Sequence, residues 1–389
     1  MTPRAAAPTV RLLHTADWHI GRKFHQVDLL DEQRKFGEWL VDLVQAERID
    51  AVLIAGDLFD RATPSGEAVD MLDQMLADLL ACGTKVIAIT GNHDSAERLH
   101  FCSRAMAGAG LHICAERRSI SDMGAPIDVV GASGASVQVL PIPYLDPHRL
   151  IDTGGVERRH DAVLGAVVAQ RRAELRDPKR SVVMAHTFIT GGGGCESERP
   201  LTVGGSAEVG AGMFHGIGYA ALGHLHRPQL MLGGRAAYAG APLPLSFSEE
   251  HPKEVRIVEC GEKITSHAVP VGVGVGRRVR TLHGALDDLL RSSKYRDAEA
   301  AWVRAELTDT SLQPGAMERL RERFPFLLEI DQQGLRTQRA HDTGCADGRP
   351  MRSTEQVIGD YMVETFPDLD DDDTGFVHTA IEIAMGAPS

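Results

Sequence analysis

Five short segments place oxygen and imidazole side chains directly after apolar, strand-like runs. Asp17-Trp18-His19 follows Val10 to Thr15, Gly56-Asp57 follows Ala51 to Ala55, and Gly91-Asn92-His93-Asp94 follows Lys85 to Thr90. His186 follows Ser181 to Ala185, and Gly223-His224-Leu225-His226 follows Tyr219 to Leu222. Each is weak alone, because a histidine after a strand is more often structural and Asp-x-His or His-x-His arises by chance. Five such strand ends, all rich in Asp, Asn and His, argue against coincidence. Residues two apart on an extended segment project to one side, so Asp17 with His19, and His224 with His226, should share a face. The glycines before Asp57, Asn92 and His224 fit tight strand-to-loop turns with close backbone approach.

Oxygen and imidazole donors without thiolate suit Mn²⁺, Fe or Zn²⁺ better than Mg²⁺ or Ca²⁺ alone. Two divalent metal ions roughly 3.5–4 Å apart lower the pKa of a bridging water and clamp a phosphoryl group, which is what phosphoester hydrolysis at neutral pH requires. Such a pair needs one shared carboxylate and further ligands on either side. We expect two divalent ions here, with Mn first among the candidates.

The elements that must position these residues alternate strand with helix. Helical spacing is expected from Asp31 to Ile49, with Phe36, Leu40, Leu43 and Val44 inward, and from Glu67 to Ala81. The second helix should bury Val69, Leu72, Leu76, Leu79 and Leu80 and stop at Gly83. Alternation of this kind predicts parallel strands joined by crossover helices, with the strand ends at one ligand-binding edge. A hairpin is expected within Ile127 to Leu145 and a helix from Val156 to Leu175. Gly191 to Gly194 reads as a flexible loop, either a lid or a surface connection.

At 389 residues, with 43% hydrophobic and 24% charged residues, the chain fits two soluble domains or one large domain with appendages. No apolar run is long enough for a membrane helix, and Met1 to Thr9 lacks a signal-peptide core, so a cytoplasmic protein is expected. Six scattered cysteines without a C-x-x-C pair read as reduced thiols. The net charge of −13 counts against nucleic acid as a partner. Part of that excess is local, in Asp368 and Asp370 to Asp373, and bound divalent cations would reverse the field inside an acidic site. A basic partner or a narrow basic track would reconcile charge and substrate. Arg117-Arg118, Arg171-Arg172 and Arg277, Arg278 and Arg280 are candidates for the track, although solvated surface arginines are the plainer reading.

Taken together, the five segments resemble the calcineurin-like metallophosphoesterases, a superfamily with a β-sandwich flanked by helices around two metals. By that resemblance, Asp17, His19, Asp57 and His226 would hold one metal, and Asp57, Asn92, His186 and His224 the other. Asp57 would be the bridge. His93 would contact the scissile phosphate as a general acid or by stabilising the transition state. Its alternative role is to orient Asn92 or Asp17.

Longer stretches are more specific. His14 to Gly21, Glu196-Ser197-Glu198-Arg199 with Val203-Gly204-Gly205, Ala221 to Gln229 and Tyr238 to Glu249 resemble the SbcD family of nuclease subunits. The resemblance implies a metal-dependent DNA exonuclease and endonuclease acting on DNA ends and hairpins in repair, recombination and replication. It also implies an SbcC-type ABC ATPase with a coiled coil as partner, and a homodimer within a heterotetramer. The expected domains are residues 1–265 for the nuclease, 270–335 for a small α+β cap guiding DNA, 336–352 for a linker, and 353–389 for a helical SbcC-binding tail. Other metallophosphoesterases act on nucleotides or phosphoproteins, and a vestigial site would leave a non-catalytic scaffold. Some relatives carry His where Asp60 stands, which leaves Asp60 and Arg61 without an assigned role.

Overall fold

The structure is a computed structural model and describes residues 9–115, 125–149, 155–199 and 208–334. It divides into one unit of residues 1–308 with 313–331 and a second of 309–312 with 332–389. The second falls almost wholly outside the described residues. The expected linker, the SbcC-binding tail, the acidic run at 368–373 and the Arg117-Arg118 pair lie there or in other undescribed stretches.

The strand-like runs pair as two six-stranded sheets. In chain order the main elements are β1 (Val10–Thr15), α1 (Leu30–Ala46), β2 (Ala51–Ala55), α2 (Gly66–Ala81), β3 (Lys85–Ile89) and β4 (Leu111–Cys114). There follow β5 (Ile127–Val130), β6 (Ser136–Ile142), α3 (His160–Arg172), β7 (Ser181–His186), β8 (Tyr219–Gly223), β9 (Gln229–Met231) and β10 (Ala236–Tyr238). β11 (Glu254–Cys260) and β12 (Ile264–Pro270) close the sandwich. The first sheet runs β12-β11-β1-β2-β3-β4 and the second β9-β10-β8-β7-β6-β5.

Periodicity alone pointed to one parallel sheet, and this is corrected. Each sheet has four parallel strands, but β11 and β12 in the first, and β9 and β5 in the second, pair antiparallel. A sandwich buries both faces of its central strands, which explains their unbroken apolar runs. Leu12, Leu53, Ile87, Val139, Val182, Met184 and Ala221 fill the space between the sheets. α1 and α2 cover the outside of the first sheet and α3 that of the second. In α2, Ser65 Oγ accepts from the Ala68 N–H at 3.3 Å and Gly83, at φ 77°, ends the helix. Val69 was expected inward but is 46% exposed.

Residues 279–331 form a third sheet of β13 (Val279–Gly284), β14 (Trp302–Leu307) and β15 (Leu327–Asp331), with α4 (Leu286–Arg291) and α5 (Ala316–Arg323) between them. All three strands are parallel, so this lobe is a βαβαβ unit with its own apolar cluster rather than an α+β arrangement. Phe24, Leu245 and Phe247 pack on Val279 and Trp302 of the lobe. Glu250 Oε1 accepts from the Thr281 N–H of β13 at 2.7 Å.

Among the described arginines of the candidate track, Arg171, Arg277 and Arg280 are held by carboxylate partners and Arg278 is exposed. Arg171 is 1% exposed and bonds Glu174. Arg277 pairs with Glu32 and lies 3.9 Å from the centroid of the Phe326 ring, while Arg280 pairs with Asp297. Gly193 is tied on both sides to Gln229, donating N–H to Oε1 at 2.9 Å and accepting from Nε2 at 3.0 Å. The Gly191–Gly194 segment is thus a pinned connection. The five described cysteines are all free thiols.

Candidate metal centre

The loops at the C-terminal ends of β1, β2 and β3 meet those of β7 and β8 across the seam between the sheets. β1 and β2 hand over to loops that run side by side: Asp17 N–H donates to Gly56 O at 3.0 Å, His19 N–H to Asp57 O at 3.0 Å, and Ile20 N–H to Leu58 O at 2.9 Å. This pairing turns the backbone left-handed at Asp17 (φ 54°), His19 (φ 45°) and Asp57 (φ 51°), and His224 stands at φ 107°. The extended reading of Asp17-x-His19 is therefore corrected. Both side chains still face one centre, but from two left-handed residues on either side of Trp18 rather than from an extended strand. Such conformations are uphill for non-glycine residues and persist only where the surroundings hold them.

Close approach leaves no room for a Cβ at three glycines. One at Gly223 would overlap the Ala55 carbonyl, one at Gly91 the Asp57 carboxylate, and one at Gly56 the His186 ring. The turns expected before Asp57, Asn92 and His224 thus have a packing cause.

All seven expected ligand positions converge. His19 Nε2 lies 3.2 Å from His226 Nε2 and 3.6 Å from Asp57 Oδ2. On the other side, His186 Nε2 lies 3.5 Å from the same carboxylate oxygen and 2.9 Å from Asn92 Oδ1, which is 3.2 Å from His224 Nδ1. Asp17, His19 and His226 form one group with ligand atoms within 4.8 Å of each other, and Asp17, Asp57 and His186 another. Asp57 faces both sides. His93 groups with His19 and Asp57, but its Nδ1 is 2.8 Å from the Asp60 carbonyl oxygen, which accepts from it. The His93 ring centroid stands 4.6 Å from that of His19.

The donor set fits divalent cations. Asp17 and Asp57 are buried, and among the described residues neither is bonded to a Lys or Arg side chain. His186 Nδ1–H donates to the Ala55 carbonyl at 2.9 Å, so Nε2, facing Asp57 and Asn92, is the nitrogen a cation would take once its proton is displaced. Oxygen and imidazole donors of this kind, with no thiolate among them, match Mn²⁺, Fe and Zn²⁺.

Protonation follows from burial and neighbours. Burial raises Asp17 to about 7, against the opposing pull of His186 and His226. Burial would lower His186, but Asp57 and Asp17 outweigh it and lift it to about 9. Burial would likewise raise Asp57, yet His186 and His19 hold it well below the carboxylate range. His19 and His224 are driven down, chiefly by burial. Protonated His186 against ionised Asp57 is the resting ion pair, and any cation ligated by both must displace that proton.

A pH prediction follows. Above the ordinary histidine value of 6.5, the lowered imidazoles are neutral in the folded and unfolded chain alike, whereas His186 keeps its proton only in the folded one. The folded state then binds more protons, so metal-free stability falls as pH rises from 6.5 to about 9. Thermal unfolding with a chelator present should show that decline, and saturating Mn²⁺ should remove it. A flat metal-free profile would contradict the ion pair.

Several residues that hold the site carried no sequence assignment. Gln33, on the buried stripe of α1 with Phe36 and Leu40, donates through Nε2 to His19 O at 2.8 Å and accepts from Gly21 N–H at 3.1 Å. A buried glutamine among apolar helix positions was the available signal. Asp94 accepts from the N–H groups of Leu58, Phe59 and Gly91, locking the β2 and β3 loops together. Asp60, left open by the sequence, orients His93 through its carbonyl, and its carboxylate takes Arg22 at 2.8 Å.

The chain is similar to known proteins. The family model described as calcineurin-like phosphoesterase matches residues 10–228, and one described as type 5 capsule protein repressor C-terminal domain matches residues 275–364. The D subunit of nuclease SbcCD from Bacillus subtilis is 30% identical over 338 residues, covering 82% of this chain and 85% of that protein. Its namesake in Staphylococcus saprophyticus is 29% identical over 330 residues, covering 83% and 85%. The Rhodobacter capsulatus protein of that name is 36% identical over 259 residues, covering 62% and 64%. With its ligand-bearing strand ends inside the matched region, the chain belongs to the calcineurin-like phosphoesterases and, within them, to the family of SbcCD nuclease D subunits.

Proposed function

We propose that this nuclease hydrolyses DNA phosphodiester bonds at ends and hairpins, as the partner of an SbcC-type ABC ATPase with a coiled coil. The observation that carries the reading is the convergence of seven oxygen and imidazole side chains, the buried Asp57 carboxylate between His19 and His186 among them, at the seam of two sheets. Asp17, His19, Asp57 and His226 would hold one cation, and Asp57, Asn92, His186 and His224 the other, with Mn²⁺ the first candidate. When bound, the pair supplies an activated water and charge stabilisation on the phosphoryl oxygens. The chain's own contribution is placement. Left-handed turns aim Asp17 and His19, the Ala55 carbonyl sets the His186 tautomer, and the Asp60 carbonyl holds His93 by Nδ1, which would leave Nε2 for the substrate. From there His93, when protonated at both ring nitrogens, would donate a proton to the leaving oxygen or a hydrogen bond to the phosphate.

We read residues 1–265 as the nuclease domain, 270–335 as the DNA-guiding cap, 336–352 as a linker and 353–389 as the ATPase-binding tail. The separate sheet and apolar cluster of residues 279–331 support the cap. We place the protein in the cytoplasm, in DNA repair; no helix among the described residues is long and apolar enough to cross a membrane. The decisive assay offers hairpin DNA and a nucleotide monophosphate with Mn²⁺. Cleavage of the hairpin is expected. No DNA cleavage, either alone or with the ATPase and ATP, would defeat the proposal.

A homodimer within a larger assembly is also proposed. A cavity of about 530 Å³ beside α2 is lined by Val69, Leu76, Phe101 and Met106, and Phe101 is 77% exposed. An apolar patch of this kind is the type of surface a second copy covers. Phe101→Asp should convert a dimer to a monomer in light scattering while leaving Mn²⁺ binding unchanged. A dimer that persists would remove this face from consideration.

A further inference from the structure

His226, a proposed ligand, has its second ring nitrogen in a chain of two buried side chains, whereas that of His186 meets a backbone carbonyl. Its Nδ1 lies 2.6 Å from Ser197 Oγ, and that hydroxyl lies 2.6 Å from Glu249 Oε1. The relay is dry: Ser197 is 8% exposed, Glu249 1% and His226 1%. Its three members come from separate stretches of chain, 29 and 52 residues apart along the two bonds.

A carboxylate only accepts, and Lys253 Nζ bonds the other oxygen of Glu249. The serine proton therefore points at Glu249, which leaves an Oγ lone pair facing His226. Nδ1 must then be the donor, so in the neutral ring the single hydrogen sits on Nδ1 and Nε2 is free for a cation. That bare nitrogen is the atom 3.2 Å from His19 Nε2, on the cation side of the ring. Glu249 Oε1 also accepts from Leu245 N–H at 3.2 Å and from Ser246 Oγ at 3.1 Å, which fixes its orientation. Glu198 Oε1 takes the His226 N–H at 2.7 Å and holds the backbone that carries the ring.

We propose that Ser197 and Glu249 are positioning residues that lock His226 in the single tautomer able to ligate a cation. His186 obtains the same setting from the Ala55 carbonyl, which no side-chain substitution removes. The two cation positions therefore respond differently to mutation: the one served by His226 can be weakened selectively through residues that touch neither cation nor substrate.

The proposal rests on His226 being a ligand, and the test separates the two claims. Mn²⁺ is titrated calorimetrically into the metal-free full chain, and Co²⁺ absorption is followed in parallel. Ser197→Ala and Glu249→Gln should each weaken one of two binding steps roughly 10–100-fold and spare the other. Ser197→Thr, which retains the hydroxyl, should restore the weakened step. Ser197→Ala should lower the metal-free unfolding midpoint, but a purely structural role would weaken both binding steps alike, whereas the relay predicts the loss of one. Wild-type affinities in both Ser197→Ala and Glu249→Gln, beside a weakened His226→Ala, overturn the relay alone. Equal loss of both steps in Ser197→Ala also overturns it. If His226→Ala itself takes both cations at wild-type affinity, the ligand assignment falls first and the relay with it.

Discussion

Asp57→Asn should reduce DNA cleavage by roughly 10³-fold or more, because several kcal/mol of transition-state stabilisation depend on the shared carboxylate. The replacement is nearly isosteric, so the loops around it should keep their places. The carboxylate now accepts the His93 N–H at 2.9 Å through Oδ1, a bond that the amide oxygen of Asn can still receive. What the amide lacks is the charge that faces His19 and His186 from between them, at 3.6 and 3.5 Å. Titration calorimetry should therefore show fewer than two tight Mn²⁺ sites in a protein whose circular dichroism is unchanged. Cleavage within tenfold of wild type would mean that Asp57 is not the bridge.

His93→Gln should behave in the opposite way towards metal. His93 approaches the same carboxylate, but its Nδ1 is committed to the Asp60 carbonyl and its ring is T-shaped against His19. Loss of a general acid or of a charge-stabilising donor costs roughly 10²–10⁴ in rate. We expect a fall of that size in kcat, little change in KM, and two Mn²⁺ bound with wild-type affinity. Loss of one metal instead would make His93 a ligand, and an unchanged rate would remove it from the chemistry altogether.

The site was more legible in the sequence than the fold that makes it. Ligand types stand out at Asp17, Asp57, Asn92, His186 and His224 because each follows a buried apolar run whose end is easy to find. How those ends are aimed was not legible. The left-handed turns at Asp17 and His19 arise from backbone bonds to Gly56, Asp57 and Leu58, some 40 residues away, and no local spacing encodes them. Sheet order was hidden for the same reason. β1 pairs antiparallel with β11, nearly 250 residues later, and nothing in either run announces the partner. Charge patterning failed at Arg171, which reads as surface yet is 1% exposed beside Glu174, whereas Arg277 and Arg280 stay partly exposed against Glu32 and Asp297.

The seam between the sheets also bears on how such a protein can change over time. On the proposed assignment, each cation draws on both layers: Asp17, His19, Asp57 and Asn92 from the first, and His186, His224 and His226 from the second. The layers moreover exchange strands, β5 and β6 going to the second sheet before β11 and β12 return to the first. No shorter piece of chain therefore carries a whole sheet and a whole cation site together. Replacement of what lies beyond residue 270 would remove none of the proposed ligands. The stretch from Asp17 to His226, by contrast, is inherited whole or not at all.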